Sequence, residues 1–156
     1  MAHLQSDLNE FVELLNSNKV DFIVVGGHAV AFHGHPRFTG DIDFLVRPNA
    51  ENGKRIVQVL VQFGFLSLGV QAADFEVPEQ VIQLGRPPNR IDLLTAISGV
   101  SFEEAWSTRV AGQLGPNCVS FLGLDALLKN KAATGRDKDR EDVKKLRAIA
   151  SRKRIE

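Results

Sequence analysis

The sequence holds one cysteine, Cys118, among 156 residues, so no intramolecular disulfide can form. It has no excess of either charge: 19 lysines and arginines stand against 19 aspartates and glutamates. That balance leaves any nucleic-acid contact to a local basic face. No apolar run is long enough to span a membrane, and the N-terminal stretch lacks a signal-peptide core, which together point to a cytoplasmic protein. No internal repeat or low-complexity linker interrupts the chain. Its one glycine pair before a short helix is not followed by Gly-Lys-Ser/Thr, which excludes a Walker-type phosphate loop, and no third spaced glycine opens a long helix, which excludes the dinucleotide fingerprint. An apolar fraction of 44% over this length predicts a single domain, 1–156, with a real core.

The run Val24 to Val46, VVGGHAVAFHGHPRFTGDIDFLV, carries the chemistry. In a strand, successive side chains alternate between faces, so Asp41 and Asp43 share one face while Ile42 and Phe44 take the other. Two adjacent carboxylates repel, and a hard divalent cation such as Mg²⁺, or Mn²⁺ in its place, keeps both ionised. An acid-x-acid pair also arises by chance in surface loops. The apolar setting of Ile42, Phe44, Leu45 and Val46 favours metal, because charges seldom enter a buried strand unless paired or ligating. Gly26 and Gly27 allow a sharp turn and close approach of a ligand, and the short helix expected from Gly27 would turn its free N–H groups toward an anion such as a triphosphate.

The pattern GG-x-A-x-x-x-HG-x-x-R-x-T-x-DID resembles the signature of the nucleotidyltransferase superfamily, which has the DNA polymerase beta-like fold. Within it, the run is similar to small bacterial proteins related to the abortive-infection AbiEii-type toxins. Gly26, Gly27, Ala29, His33, Gly34, Arg37, Thr39, Asp41 and Asp43 stand at the matching positions. The resemblance implies transfer of a nucleoside monophosphate from an NTP, such as ATP, to an acceptor: RNA or a tRNA end, or a protein side chain, with a cognate antitoxin as partner if the protein is a toxin. A small-molecule acceptor of the antibiotic type, or a non-catalytic nucleotide-binding module, are the alternatives.

The family pattern needs a third acid. Asp92, central in Arg90-Ile91-Asp92-Leu93-Leu94, is the candidate, because a hairpin from Val81 to Thr95 through Gly85, Pro87, Pro88 and Asn89 would lay it beside the first pair. A strand-end aspartate bonded to backbone is the other reading of it, and Asp74 and Glu76 are weaker third acids. Asp41, Asp43 and Asp92 are thus expected as catalytic and metal-binding residues, with Gly26, Gly27, His28, Arg37 and Thr39 at the nucleotide. Arg37 either binds phosphate or pairs with an acid of the fold.

The stretch Leu127 to Leu146 carries alternating charge on two helices. Pairs such as Glu141 with Lys145 read as a solvated outer face, with Asp142 and Leu146 inward. It also resembles the Lys then Arg/Lys-Asp-x-x-Asp segment of the AbiEii relatives at Lys131, Lys138, Asp139 and Asp142. The resemblance implies that Lys131, with Arg136 or Lys138, offsets phosphate charge, and that Asp139 or Asp142 orients a basic side chain or the acceptor. His28, His33 and His35 crowd the motif, but one distant cysteine does not make a four-ligand zinc site; His33 is expected on the turn or backbone and His28 at phosphate. The tail Arg147, Arg152, Lys153, Arg154 is a basic patch or a solvated helix end, with no interleaved aromatics to stack bases.

Helices are expected over Leu4 to Asn16, from Gly27, over Ala50 to Phe63 and Phe102 to Trp106, and from Leu124 and Asp139. Strands are expected over Asp21 to Val25, Asp41 to Val46, Phe65 to Leu68, within the hairpin, and near Asn117 to Phe121. This order predicts an α/β (α+β) fold: a mixed β-sheet flanked by helices, with a helical C-terminus.

Overall fold

The computed structural model of the protein describes residues 2–37, 39–65, 69–86 and 90–155. Six strands form one mixed sheet: β1 (Phe22–Val25), β2 (Asp41–Val46), β3 (Val81–Leu84), β4 (Arg90–Leu94), β5 (Val110–Leu114) and β6 (Asn117–Phe121). Their spatial order is β3-β4-β2-β1-β6-β5. β1 runs antiparallel to β2, β2 parallel to β4, and β1 parallel to β6, while β3 and β5 close the two edges antiparallel to their neighbours. The helices are α1 (Ala2–Ser17), α2 (Gly26–Phe32), α3 (Ala50–Phe63), α4 (Phe102–Ser107), α5 (Leu124–Thr134) and α6 (Asp137–Ile155).

The central strands follow from their side chains. β1, Phe-Ile-Val-Val, is buried along its whole length, as a strand covered on both faces must be. β2 alternates: Ile42 and Phe44 are buried while Asp41 and Asp43 turn to the half-open face. Phe44 meets Phe11 of α1 and Phe22 of β1, and Phe11 meets Phe63 of α3 edge-on. These helices therefore cover the apolar face, and burying each such ring stabilises the fold by about 2–3 kcal/mol. On α1, Phe11 and Leu15 are fully buried and Leu8 and Leu14 pack against the core. Asn49 caps α3 by accepting from the Asn52 N–H, and Gly64 ends it in the left-handed conformation. The closing pair, α5 and α6, buries Leu127, Leu146 and Ile149.

The mixed sheet flanked by helices and the helical C-terminus are as expected. β5 was not anticipated, and α6 begins two residues before Asp139. The expected strand Phe65 to Leu68 and the hairpin tip at Pro87, Pro88 and Asn89 fall on 66–68 and 87–89, outside the described residues. No helix among the described residues is long and apolar enough to cross a membrane.

Candidate active site

The parallel pairing of β2 with β4 assembles the acids. Its register sets Asp41 beside Arg90 and Asp43 beside Asp92. Residues two apart on one strand share a face, so Asp41, Asp43, Arg90 and Asp92 all rise on the same side. One carboxylate oxygen from each of Asp41, Asp43 and Asp92 lies within 4.8 Å of the others. Asp74 does other work: its carboxylate accepts from the Gln71 N–H and caps the short 3₁₀ turn Ala72–Glu76.

Two of the three acids are already partnered. Arg90 donates from Nε and Nη2 to the two oxygens of Asp92, at 2.9 and 3.1 Å, and from Nη2 to Asp41 Oδ2 at 2.7 Å. The Thr39 hydroxyl donates to the other Asp41 oxygen at 2.9 Å. Among the described residues, no cation makes an ion pair with Asp43. Burial, the charges of Asp41 and Asp92, and a hydrogen bond with Asp92 push its carboxyl up to about 7, against the pull of Lys131. The donor set fits a hard divalent cation: three carboxylates, no soft ligand, and one member whose carboxyl is pushed up by burial and by the two neighbouring acids.

The glycine pair serves this acid directly. Gly26 opens α2 at φ +67°, and a Cβ there would collide with Asp43 Oδ2. A Cβ at Gly27 would press on Thr39 at 3.2 Å. The backbone at the start of α2 thus sits hard against the residues that form the site, with no side chain between.

A cationic wall stands over the acids, and it is tightly wired. Lys131, only 4% exposed, donates to Asp139 at 3.1 Å and lies 3.4 Å from Asp142; both acids are at most 1% exposed. Asp139 also accepts from Arg136 Nε and Thr134 Oγ1, each at 2.6 Å. Burial works to raise the Asp139 carboxyl, but these three donors together hold it well below the usual carboxylate range. Arg37 grips Asp142 with two parallel bonds of 3.0 and 2.9 Å. Of its two sequence readings, pairing with an acid of the fold is the contact present. Glu141 and Lys145 are exposed, while Asp142 and Leu146 face inward. Lys138 points to solvent on the outer side of α6. His33 bonds the Leu122 carbonyl at 2.7 Å, and His35 lies 3.9 Å from Asp142. His28 sits beside Asp41, its pKa lowered by burial and by Arg37 against the pull of Asp41.

Comparison with known families covers nearly the whole chain that builds this site. Residues 2–152 fit the family model described as "Nucleotidyltransferase of unknown function (DUF6036)". The chain belongs to this nucleotidyltransferase family. No curated protein matches it.

The nucleotidyltransferase has a cleft of ≈ 320 Å³ beside its acids, within the range of small-ligand sites. Gly26, Asp43, Lys131 and Arg136 line it, and Leu94 and Ile97 floor it. Arg90 was not singled out from sequence as a site residue, although its place two residues before Asp92 on one strand was a usable signal.

Proposed function

We propose that this protein is a cytoplasmic, Mg²⁺-dependent nucleotidyltransferase that moves a nucleoside monophosphate from an NTP to an acceptor hydroxyl. The observation that carries the reading is the convergence of Asp41, Asp43 and Asp92, with oxygens within 4.8 Å, at the mouth of a cleft walled by Lys131. Asp41, Asp43 and Asp92 would hold the cation, which when bound offsets triphosphate charge and activates the acceptor oxygen. The acceptor oxygen forms a new bond to the α-phosphorus, the bond from that phosphorus to the β-bridging oxygen breaks, and pyrophosphate leaves. Arg90 occupies both oxygens of Asp92, which suits a fixed ligand better than a base, so the acceptor proton passes to water. The backbone of Gly26 and Gly27, with His28 and Thr39 nearby, seats the triphosphate, and Lys131 faces the charge that develops on it. Arg136 assists from the rim of the cleft. Arg37 acts through Asp142 and positions Lys131.

The resemblance of the Gly26 to Asp43 run to AbiEii-type toxins favours RNA, a tRNA end or a protein side chain as the acceptor, and a cognate antitoxin as the partner. The exposed Arg147, Arg152 and Lys153 along α6 are where an RNA backbone would lie. A small-molecule acceptor is the second reading, favoured by the pairing of Lys131 and Arg136 with Asp139, which leaves the cleft little uncommitted positive charge. The test is incubation with each α-³²P-labelled NTP and Mg²⁺, with and without total RNA, beside the Asp41→Asn and Asp43→Asn variants. Label on RNA or protein that depends on both acids supports the reading; transfer retained in both variants overturns it.

A further inference from the structure

Glu79 lines the same cleft as Asp43, Lys131 and Arg136, yet stands apart from them. Both basic residues are engaged by Asp139, whereas Glu79 has no ion pair among the described residues. Its backbone is also unusual. Glu79 follows Pro78 and adopts φ +56°, a turn position that ordinarily takes glycine or asparagine because an L side chain is strained there.

The turn is bolted in place. Thr95, 4% exposed, accepts from the Gln80 N–H at 2.8 Å and donates to the Val77 carbonyl at 2.7 Å, while its own N–H donates to the Gln80 carbonyl at 3.0 Å. A carboxylate with no ion pair or hydrogen-bond partner among the described residues is thus held on the rim of the cleft.

That point lies at a definite reach from the acids. Val81 pairs with Leu94, and the Thr95 to Gln80 bond continues the register, so Gln80 is three residues along from Asp92. At about 3.3 Å per residue this is roughly 10 Å, with Glu79 one step further. The span is that of a nucleoside measured from its α-phosphorus to the Watson–Crick edge of its base. Leu94, two residues from Asp92 on the same strand, and Ala96 and Ile97 after it also line the cleft, an apolar surface for a flat ring.

We propose that Glu79 reads the nucleobase of the donor triphosphate and selects guanine, an inference that rests on the nucleotidyl-transfer reading above. A carboxylate offers two acceptors side by side and no donor. Guanine alone among the four bases presents two adjacent donors, N1–H and the 2-amino group, on its Watson–Crick edge. Adenine and cytosine each set one donor beside a ring-nitrogen acceptor, which a carboxylate repels, and uracil has a single donor between two carbonyls. A bidentate contact of this kind separates bases by about tenfold or more.

The test is calorimetric titration of the full chain, in Mg²⁺, with the α,β-methylene analogues of GTP, ITP and ATP. Wild type is expected to bind the guanine analogue at least about tenfold tighter than the adenine one, with the hypoxanthine analogue, which lacks the 2-amino group, between them. Glu79→Gln replaces one acceptor by a donor, matches the adenine edge, and is expected to reverse the order; Glu79→Ala is expected to level it. Equal binding of all three analogues, unchanged in Glu79→Gln, overturns the base-reading role while the transferase reading stands. So does a Glu79→Gln variant altered only in its KM for the acceptor. Failure to bind any of the analogues overturns the transferase reading and this inference with it.

Discussion

Arg90 holds Asp92 by two parallel hydrogen bonds and lends the same Nη2 to Asp41, so one guanidinium offsets two of the three clustered acids. A divalent cation placed among those acids does the same electrostatic work. Arg90→Gln is therefore expected to lower the melting temperature most in EDTA, with much of the loss recovered in millimolar Mg²⁺. Melts recorded with and without metal check this, and equal losses in both would show that Arg90 only packs.

Asp43 is expected to make stability and metal affinity move in opposite directions with pH. Its folded pKa, about 7, lies above the ordinary 3.8, so the metal-free fold keeps its proton more readily than the unfolded chain. This group therefore costs stability progressively as pH rises from about 4 to about 7, and no further above that. In EDTA, Asp43→Asn is expected to lose this slope and to exceed wild type in urea midpoint at pH 8. Metal affinity of wild type should instead rise through pH 7, releasing a proton, because the ligand must be ionised. Titration calorimetry at pH 6 and pH 8 in buffers of different ionisation enthalpy reads that proton.

Lys131→Met removes the ammonium between two buried acids. Breaking a buried pair by deleting one partner costs about 3–5 kcal/mol; Arg136 and Arg37 remain on Asp139 and Asp142, so about 3 kcal/mol is expected. Lys131→Met combined with Asp139→Asn is expected to recover part of it. Urea denaturation of the two variants measures the coupling.

Gly26→Ala places a methyl group against Asp43 Oδ2 and strains a backbone at φ +67°. A loss of about 1–3 kcal/mol is expected, together with loss of the Mg²⁺-induced rise in melting temperature. A Gly64→Ala control, where φ is +95° but no atom lies within 4 Å of the added carbon, is expected to keep that rise.

The part of this site legible in the sequence was the part written in strand alternation. Asp-Ile-Asp-Phe states its own two faces, and Asp92 could be matched to it once a second apolar strand was seen. The wall was ambiguous because charges at helical spacing look alike whether they face water or each other; only the packing of α6 on α5 shows Asp139 and Asp142 buried and Glu141 exposed. β5, Val-Ala-Gly-Gln-Leu, has little strand character of its own and is a strand through its pairing with β6. Gly112 within it leaves room for Phe32, which lies flat on Phe121 at 4.0 Å. Glu79 was illegible for a related reason, since nothing local tells that Thr95 will fasten its turn to the mouth of the cleft.

The order in which the site's residues occur along the chain matters while the protein is being made. Asp41, Asp43, Arg90 and Asp92 all leave the ribosome before Lys131, Asp139 and Asp142, and β1 waits for β6 to be synthesised before its parallel neighbour exists, Val24 beside Phe121. Since a domain folds as a unit, the acids gather on a completed sheet only once β6 and the helices after it can join the fold. Lys131, Asp139 and Asp142 reach the acids only when the last two helices close on the sheet, so the two halves of the site form in one cooperative step with the fold itself.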